Sequence, residues 1–407
     1  GATDLANMLL RGGMRTVPSI GIPTAEMAAD LDADAIVIAL KSRTTPAAEA
    51  VEESLAALEW LRERGCEQIF FKYCSTFDST AAGNIGQVSE ALLDKLGSDF
   101  TLACPAFPEN GRTIFRGHLF VQDQLLSECG MQNHPLTPMT DANLVRVLQS
   151  QTQQKVGLLR YDSIAKGVEG VRSKIAELRA DGVKMAIADA LSDADLYTLG
   201  EACADLPLLT GGSGLALGLP GNFRKAGKLR DIDAAQLVPV ACGEVVLAGS
   251  ASVATNGQVA AWLEANRPAL RINPLELAAG RPVVEQALEF ARKAGETVLI
   301  YATSSPEEVK AVQQQLGVER AGAMVEDALG QIAKGLLNAG VRRFVVAGGE
   351  TSGAVVQALG VQLLQIGAQI DPGVPATVSS GAQPLAMALK SGNFGGRDFF
   401  SKALKQL

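Results

Sequence analysis

Short runs of β-branched and other apolar residues recur along the chain, each separated from the next by an amphipathic stretch of helical length. Ala35-Ile-Val-Ile-Ala-Leu40 is followed by a helical pattern from about Pro46 to Arg64, and then by Gln68-Ile-Phe-Phe-Lys-Tyr73. The same rhythm continues through Thr101-Leu-Ala-Cys104, Val156-Gly-Leu-Leu159, a helix near Ser163 to Arg179, Val183-Lys-Met-Ala-Ile-Ala188 and a helix near Asp193 to Ala204. Continuous apolar strands alternating with helices predict parallel sheets buried on both faces. That pattern constrains the chain to the α/β class.

Between these units and a second set lies Asn222-Phe-Arg-Lys-Ala-Gly-Lys-Leu-Arg230, a basic stretch after Gly-Leu-Pro-Gly221. The second set comprises Glu244-Val-Val-Leu-Ala-Gly249, Thr297-Val-Leu-Ile-Tyr-Ala302, a long helix from about Arg320 to Asn338, Arg342-Arg-Phe-Val-Val-Ala347 and Leu363-Leu-Gln-Ile366. A length of 407 residues exceeds what one core ordinarily holds. The expected architecture is therefore two α/β domains with mainly parallel sheets and an interdomain cleft, spanning residues 1–228 and 240–407.

Glycine loops carry the clearest chemical signal. Phe344-Val-Val-Ala347 runs into Gly348-Gly-Glu-Thr-Ser-Gly353 and then into an apolar helical segment. Glycines allow close approach of an oxyanion, and free N–H groups at a helix start point at it with a favourable dipole. Gly249-Ser-Ala-Ser-Val-Ala-Thr255 has the same setting, and Lys390-Ser-Gly-Asn-Phe-Gly-Gly396 follows an apolar run. Loops at the carboxyl ends of strands in an open α/β sheet converge, so a polyphosphate ligand is expected in the second domain. No Walker A motif occurs: Gly221 to Lys228 has the wrong spacing and ends in Leu229. Thr210-Gly-Gly-Ser-Gly-Leu-Ala-Leu-Gly218 holds a loose G-x-G-x-x-x-G, which raises a dinucleotide-dependent oxidoreductase as an alternative and otherwise reads as a phosphate-facing loop between domains.

In the first half, polar side chains follow predicted strands: Lys41-Ser-Arg43, Lys72 and Asp78 within Lys72-Tyr-Cys-Ser-Thr-Phe-Asp78, and Glu109-Asn-Gly-Arg112. Arg43 can clamp a carboxylate through two N–H groups, Lys72 supplies a point charge and Asp78 accepts from hydroxyls. Each taken singly also fits a surface ion pair or a cap. Of the two histidines, His118 and His134, neither has a metal-ligand spacing, and the six cysteines form no C-x-x-C pair. The cysteines read as reduced thiols, and no metal-ligating set is expected. A net charge of −8 without any long Lys/Arg cluster argues against nucleic acid. No stretch reaches the length of a membrane span, so a cytoplasmic protein is expected.

The longer motifs resemble those of the four-carbon acid sugar kinases. The carriers are Gly1-Ala-Thr-Asp4, Lys72-Tyr-Cys-Ser-Thr-Phe-Asp-Ser-Thr80 with Gly83-Asn-Ile-Gly86, Cys104-Pro-Ala-Phe-Pro-Glu-Asn-Gly-Arg112, His134-Pro-Leu-Thr-Pro-Met139, Gly348-Gly-Glu-Thr-Ser-Gly353 and Lys390-Ser-Gly-Asn-Phe-Gly395. The resemblance implies a sugar-binding first domain, a nucleotide-binding second domain, and ATP with Mg²⁺ as phosphoryl donor to the terminal hydroxyl of a four-carbon acid. A 3-oxo acid is the expected acceptor, with threonate or erythronate as alternatives. It further implies that Ser250 or Ser252, Gly348, Gly349, Glu350, Thr351 and Gly392 contact ATP. Arg43 and the Lys72–Asp78 segment are expected to face the sugar acid, together with Asp4, Asn110 and Arg112, with Asp78 as candidate base. Members of that family open with an Asp-Asp pair just before Thr-Gly-Ala, whereas the sequence here begins at that glycine; those acids, candidate ligands or the base, are expected upstream of Gly1. A non-catalytic sugar-acid sensor is the remaining alternative, and a homo-oligomer is open.

Overall fold

The computed structural model describes the chain except Gly1, residues 25–30, Lys41, residues 134–136, Ser305 and Ala382, and the side chains of 306, 307, 309, 310, 313, 318 and 319. It divides into two compact units, one built on the residues up to Ile22 with Asp32–Ala234, the other on Ala235–Leu407.

The first unit is organised by a five-stranded, wholly parallel sheet. Its order is Ile69–Lys72, Leu208–Gly211, Thr101–Cys104, Met185–Ala188 and Val156–Leu159. Helix Ala47–Glu63 leads into the sheet, and helices Ile85–Leu96, Gly167–Ala180 and Asp193–Ala202 supply its crossovers. The last begins with a capping box in which Ser192 and Asp195 satisfy each other's backbone N–H groups. Because both faces are covered, Met185 through Ala188 are all buried. Two smaller sheets were not foreseen: the parallel pair Thr16–Ile20 with Ala35–Ala39, and an antiparallel set of Arg112–Phe115, His118–Val121 and Gln124–Leu125. Tight turns with Arg116 and Gln122 at positive φ join the antiparallel strands, and neither turn has the Asn-Gly signature that marks hairpins in a sequence.

Residues Ser213–Gly218, expected to face a phosphate, form instead a buried 3₁₀ helix. A Cβ on Gly212 would stand 2.6 Å from the Pro105 carbonyl oxygen and one on Gly214 2.5 Å from that of Ala106. These glycines serve backbone-to-backbone packing within the first unit, which explains the motif without a dinucleotide.

The second unit holds a seven-stranded sheet ordered Ala269–Arg271, Val298–Tyr301, Gly243–Ala248, Val341–Ala347, Ala386–Lys390, Val374–Ser379 and Leu364–Asp371. The first five strands are parallel; the last two run antiparallel as an edge hairpin. Side chains alternate between two cores, as the two-residue period of a strand demands. Val245, Leu247, Phe344, Val346 and Met387 pack beneath helices Val283–Ala294, Val318–Asn338 and Gly349–Ala358. Val246, Ala248, Val345, Ala347 and Ala388 pack against Val259, Trp262, Phe399 and Phe400 from helices Val253–Glu264 and Phe399–Gln406 on the other face.

Phe344 sits at the centre of the first of these cores with no exposed surface. Phe344→Ala is expected to cost about 3–5 kcal/mol through lost transfer energy and a residual cavity, read from urea unfolding. Val253, 87% exposed, is the control and should tolerate alanine with little change. An equal loss in both variants would contradict this placement of the core.

Candidate functional site

In the second unit, three adjacent parallel strands end level with one another. Ala248 pairs with Ala347, and Ala347 with Lys390. The chain therefore leaves the sheet three times along one edge, and the turns are stitched together by main-chain bonds. The N–H groups of Gly249 and Ser250 donate to the Ala347 carbonyl at 3.0 and 3.3 Å, and that of Gly348 to the Lys390 carbonyl at 2.9 Å.

Side chains close the cluster. Ser252 caps helix Val253–Glu264 by accepting from the Thr255 N–H, and its hydroxyl donates to the Gly392 carbonyl at 2.5 Å. Thr255 donates to the same carbonyl at 2.9 Å. A Cβ on Gly392 would lie 2.3 Å from Ser250 Oγ and 3.0 Å from Ser252 Oγ, so a side chain there would displace the hydroxyls of the first turn. Gly348 has φ of +132° and begins helix Gly349–Ala358 without a side-chain cap. Its first-turn N–H groups are therefore available to an outside acceptor. Thr351 is buried, with its hydroxyl against the Gly249 and Gly348 turns, whereas Gly349 and Glu350 are exposed on the first turn. Ser250, Ser252, Gly348, Thr351 and Gly392 thus form one constellation, with Gly349 and Glu350 on its solvent side.

In the first unit, strand Ile69–Lys72 runs into a tight turn in which both Phe77 and Asp78 have positive φ, +63° and +47°. Such backbone is costly for residues with a Cβ. The turn persists because Phe77 is 1% exposed and packs edge-on against Tyr73, while the Asp78 carboxylate is held at both oxygens. Arg43 Nη1 donates to Oδ2 at 2.9 Å and Thr76 Oγ1 to Oδ1 at 2.6 Å. Asp78 is 4% exposed, its Arg43 partner 52%. Burial holds the Lys72 ammonium below the usual lysine range, with the like charge of Arg43 adding to the effect and the carboxylates of Asp4 and Asp78 opposing it. Asp4, Arg43, Lys72 and Asp78 are therefore electrostatic neighbours.

Asn110 and Arg112 do not join them. Among the described residues, no hydrogen bond or ion pair links either to Arg43, Lys72 or Asp78; Arg112 donates to the Asn110 carbonyl and leaves a buried Nε without a partner. Their neighbour Glu109 pairs with Arg11 at 2.7 Å on the surface. His118 bonds the Arg116 carbonyl and Asn143 and is structural. Lys41 and His134 lie outside the described residues. Among those described, no group of three or more His, Cys, Asp or Glu stands together to hold a metal ion, and no helix is long and apolar enough to cross a membrane.

Several contributors escape a reading of residue types. Asn84 donates to the carbonyls of Ser42 and Thr45 at 2.7 and 3.0 Å, fixing the Arg43 turn. Gln151 donates to Ser79 Oγ and the Thr80 carbonyl and accepts from the Gly86 N–H, bracing the Asp78 turn from a distant loop. Asn84 was within reach through the word Gly83-Asn-Ile-Gly86; Gln151 has no local signal.

Comparison with known proteins supplies independent findings. Residues 1–219 match a family of sugar-binding N-terminal domains and residues 245–400 a family of nucleotide-binding C-terminal domains. The chain is 90% identical over 407 residues to the 3-oxo-tetronate kinase of Pseudomonas savastanoi pv. phaseolicola (strain 1448A / Race 6), covering 100% of this chain and 95% of that one. It is 70% identical over 409 aligned positions to the 3-oxo-tetronate kinase of Cupriavidus necator, with the same coverage. A crystal structure of a Haemophilus influenzae protein superposes with a TM-score of 0.91 at 45% identity, covering 100% of this chain and 97% of that one.

The positive φ of Gly348 makes one outcome specific. Gly348→Ala places a Cβ 2.7 Å from Thr351 Oγ1 in a backbone conformation alanine resists, and should cost about 1–3 kcal/mol in urea unfolding. An unchanged unfolding midpoint would show that the turn relaxes freely.

Proposed function

This chain belongs to the four-carbon acid sugar kinase family, and from that membership we propose that it is an ATP-dependent kinase that phosphorylates the 4-hydroxyl of 3-oxo-tetronate. The observation that carries the nucleotide half of this reading is the convergence of the Gly249, Gly348 and Gly392 turns at one sheet edge. Their backbone fits a polyphosphate: nothing stands within 4 Å of where a Cβ on Gly349 would lie, and the uncapped start of helix Gly349–Ala358 offers N–H donors. Ser250, Ser252, Gly348 to Thr351 and Gly392 would hold the phosphates. Mg²⁺, carried by the nucleotide, would neutralise charge on the transferred group.

Phosphoryl transfer asks the protein mainly to position two reactants in line and to balance charge. In the first unit, Arg43 spends one N–H on Asp78 and keeps others for the carboxylate of the sugar acid. Lys72 and Asp4 present opposite charges beside it, suited to a polyhydroxy acid that both donates and accepts. Asp78 is the group proposed to orient the attacking 4-hydroxyl and accept its proton. A carboxylate braced at both oxygens in a turn fixed by Gln151 and Thr76 has little freedom to swing away, as a positioning base requires. The domain assignment follows: sugar acid on residues 1–228, nucleotide on 240–407. Dependence on ATP fits work in the cytoplasm.

ADP release coupled to NADH oxidation tests the reading: turnover should require both ATP and 3-oxo-tetronate, and fall steeply with threonate or erythronate. Preference for either of those would reassign the acceptor within the family. Asp78→Asn should lower kcat by about 10²–10⁴-fold in a chain that still folds, with a lower thermal midpoint because the pair with Arg43 is lost. Full activity in that variant would remove Asp78 from the mechanism.

A further inference from the structure

Lys390 closes strand Ala386–Lys390 and is 1% exposed, the one lysine among the fully buried polar and charged side chains of the described residues. Its ammonium donates to three neutral oxygens: Thr255 Oγ1 at 2.9 Å, the Gly392 carbonyl at 2.9 Å and the Ser391 carbonyl at 3.2 Å. Among the described residues, no carboxylate pairs with it. The elements packed around it contribute Thr255 from helix Val253–Glu264, and Ala347 and Gly348 from the paired strand and its turn, none of which titrates. Its own strand contributes Ala388 and Leu389 alongside Ala376 of the next strand. Burial alone, with no opposing charge, lowers its pKa to about 8.

A buried charge without a counter-ion is unfavourable, and this one touches the machinery of all three turns. Its Nζ holds the Gly392 and Ser391 carbonyls of the third, its own carbonyl accepts from Gly348 of the second, and Thr255 links it to the Ser252 cap of the first. We propose that Lys390 is a positioning residue for the nucleotide, its ammonium standing behind the Gly392 turn as the counter-charge that a bound polyphosphate completes, so that binding draws a proton from solution onto the protein. The inference rests on the assignment of the three turns to the nucleotide. Its consequence is a coupling that neutral glycine loops alone would lack.

The sign is fixed by linkage. The free protein loses the Lys390 proton as pH rises through about 8, and a polyphosphate beside it raises that value. Affinity for ATP is then insensitive to this group below about pH 7.5 and falls by up to about tenfold per pH unit above 8, until the proton is lost from the complex as well. Nucleotide phosphates are already fully ionised in that window, so the uptake belongs to the protein.

The test is isothermal titration of ATP into the whole chain at pH 8.5 in two buffers of different ionisation enthalpy. Wild type should take up more than about half a proton per nucleotide, since a group titrating near 8 is mostly neutral there. Lys390→Met should take up none and bind ATP at least about tenfold more weakly, as befits a lost charge-assisted interaction. Lys390→Arg, permanently charged, should bind ATP without proton uptake. ATP binding by wild type with no uptake would overturn the role of Lys390 and leave the nucleotide site standing; uptake retained in Lys390→Met would do the same. No ATP binding by wild type would overturn both. Where the methionine variant fails to fold, Lys390→Arg decides instead, since uptake retained in that permanently charged variant would overturn the role of Lys390.

Discussion

Parallel register is the constraint on which the second unit depends. Because Gly243–Ala248, Val341–Ala347 and Ala386–Lys390 are hydrogen-bonded neighbours running the same way, their ends are level and their outgoing turns meet. Three turns meeting at one edge would crowd if any carried bulk at the contact. Glycine at 392 and 348 removes the side chain where the turns touch, and the small hydroxyls of Ser250, Ser252, Thr255 and Thr351 fill the remainder. The same crowding concentrates backbone donors. The proposed anion site is thus the by-product of a sheet that buries both faces, with helices starting at its carboxyl edge.

The first unit reaches its polar cluster by a different route. There the groups proposed to face the sugar acid depend on a strained turn, Phe77 and Asp78 both at positive φ, which the buried Phe77 ring and the paired Asp78 carboxylate hold in place. Strain kept by surrounding packing is a common property of groups that must stay aimed. The two chemistries complement each other: a cluster of fixed side-chain charges suits a small hydroxy acid, and a cradle of amides suits phosphates.

The α/β class was legible because buried parallel strands write continuous apolar runs; Thr101–Cys104 and Val156–Leu159 stand where the sequence puts them. The edge hairpin Val374–Ser379 and the strand Thr16–Ile20 were not, since short strands interrupted by proline or glycine leave no period to count. The Gly249 and Gly348 turns are recognisable as strand-to-helix loops in the sequence itself. What the chain could not reveal was the difference between Gly348 and Gly212. Both follow a strand, yet one starts a helix facing solvent while the other packs against the Pro105 carbonyl. Likewise Arg112 comes after a strand, as Asp78 does, but opens the antiparallel hairpin, with Asn110 in the 3₁₀ turn before it, and nothing in the sequence marks Lys390 as buried.

Hydrogen–deuterium exchange of the whole chain with and without ATP tests the central claim most directly. The account predicts slowed exchange together at the amides of Gly249–Ser252, Gly348–Thr351 and Ser391–Gly392, and no comparable change at Gly211–Gly218. Protection confined to Gly211–Gly218, or absent from the three turns, would contradict it.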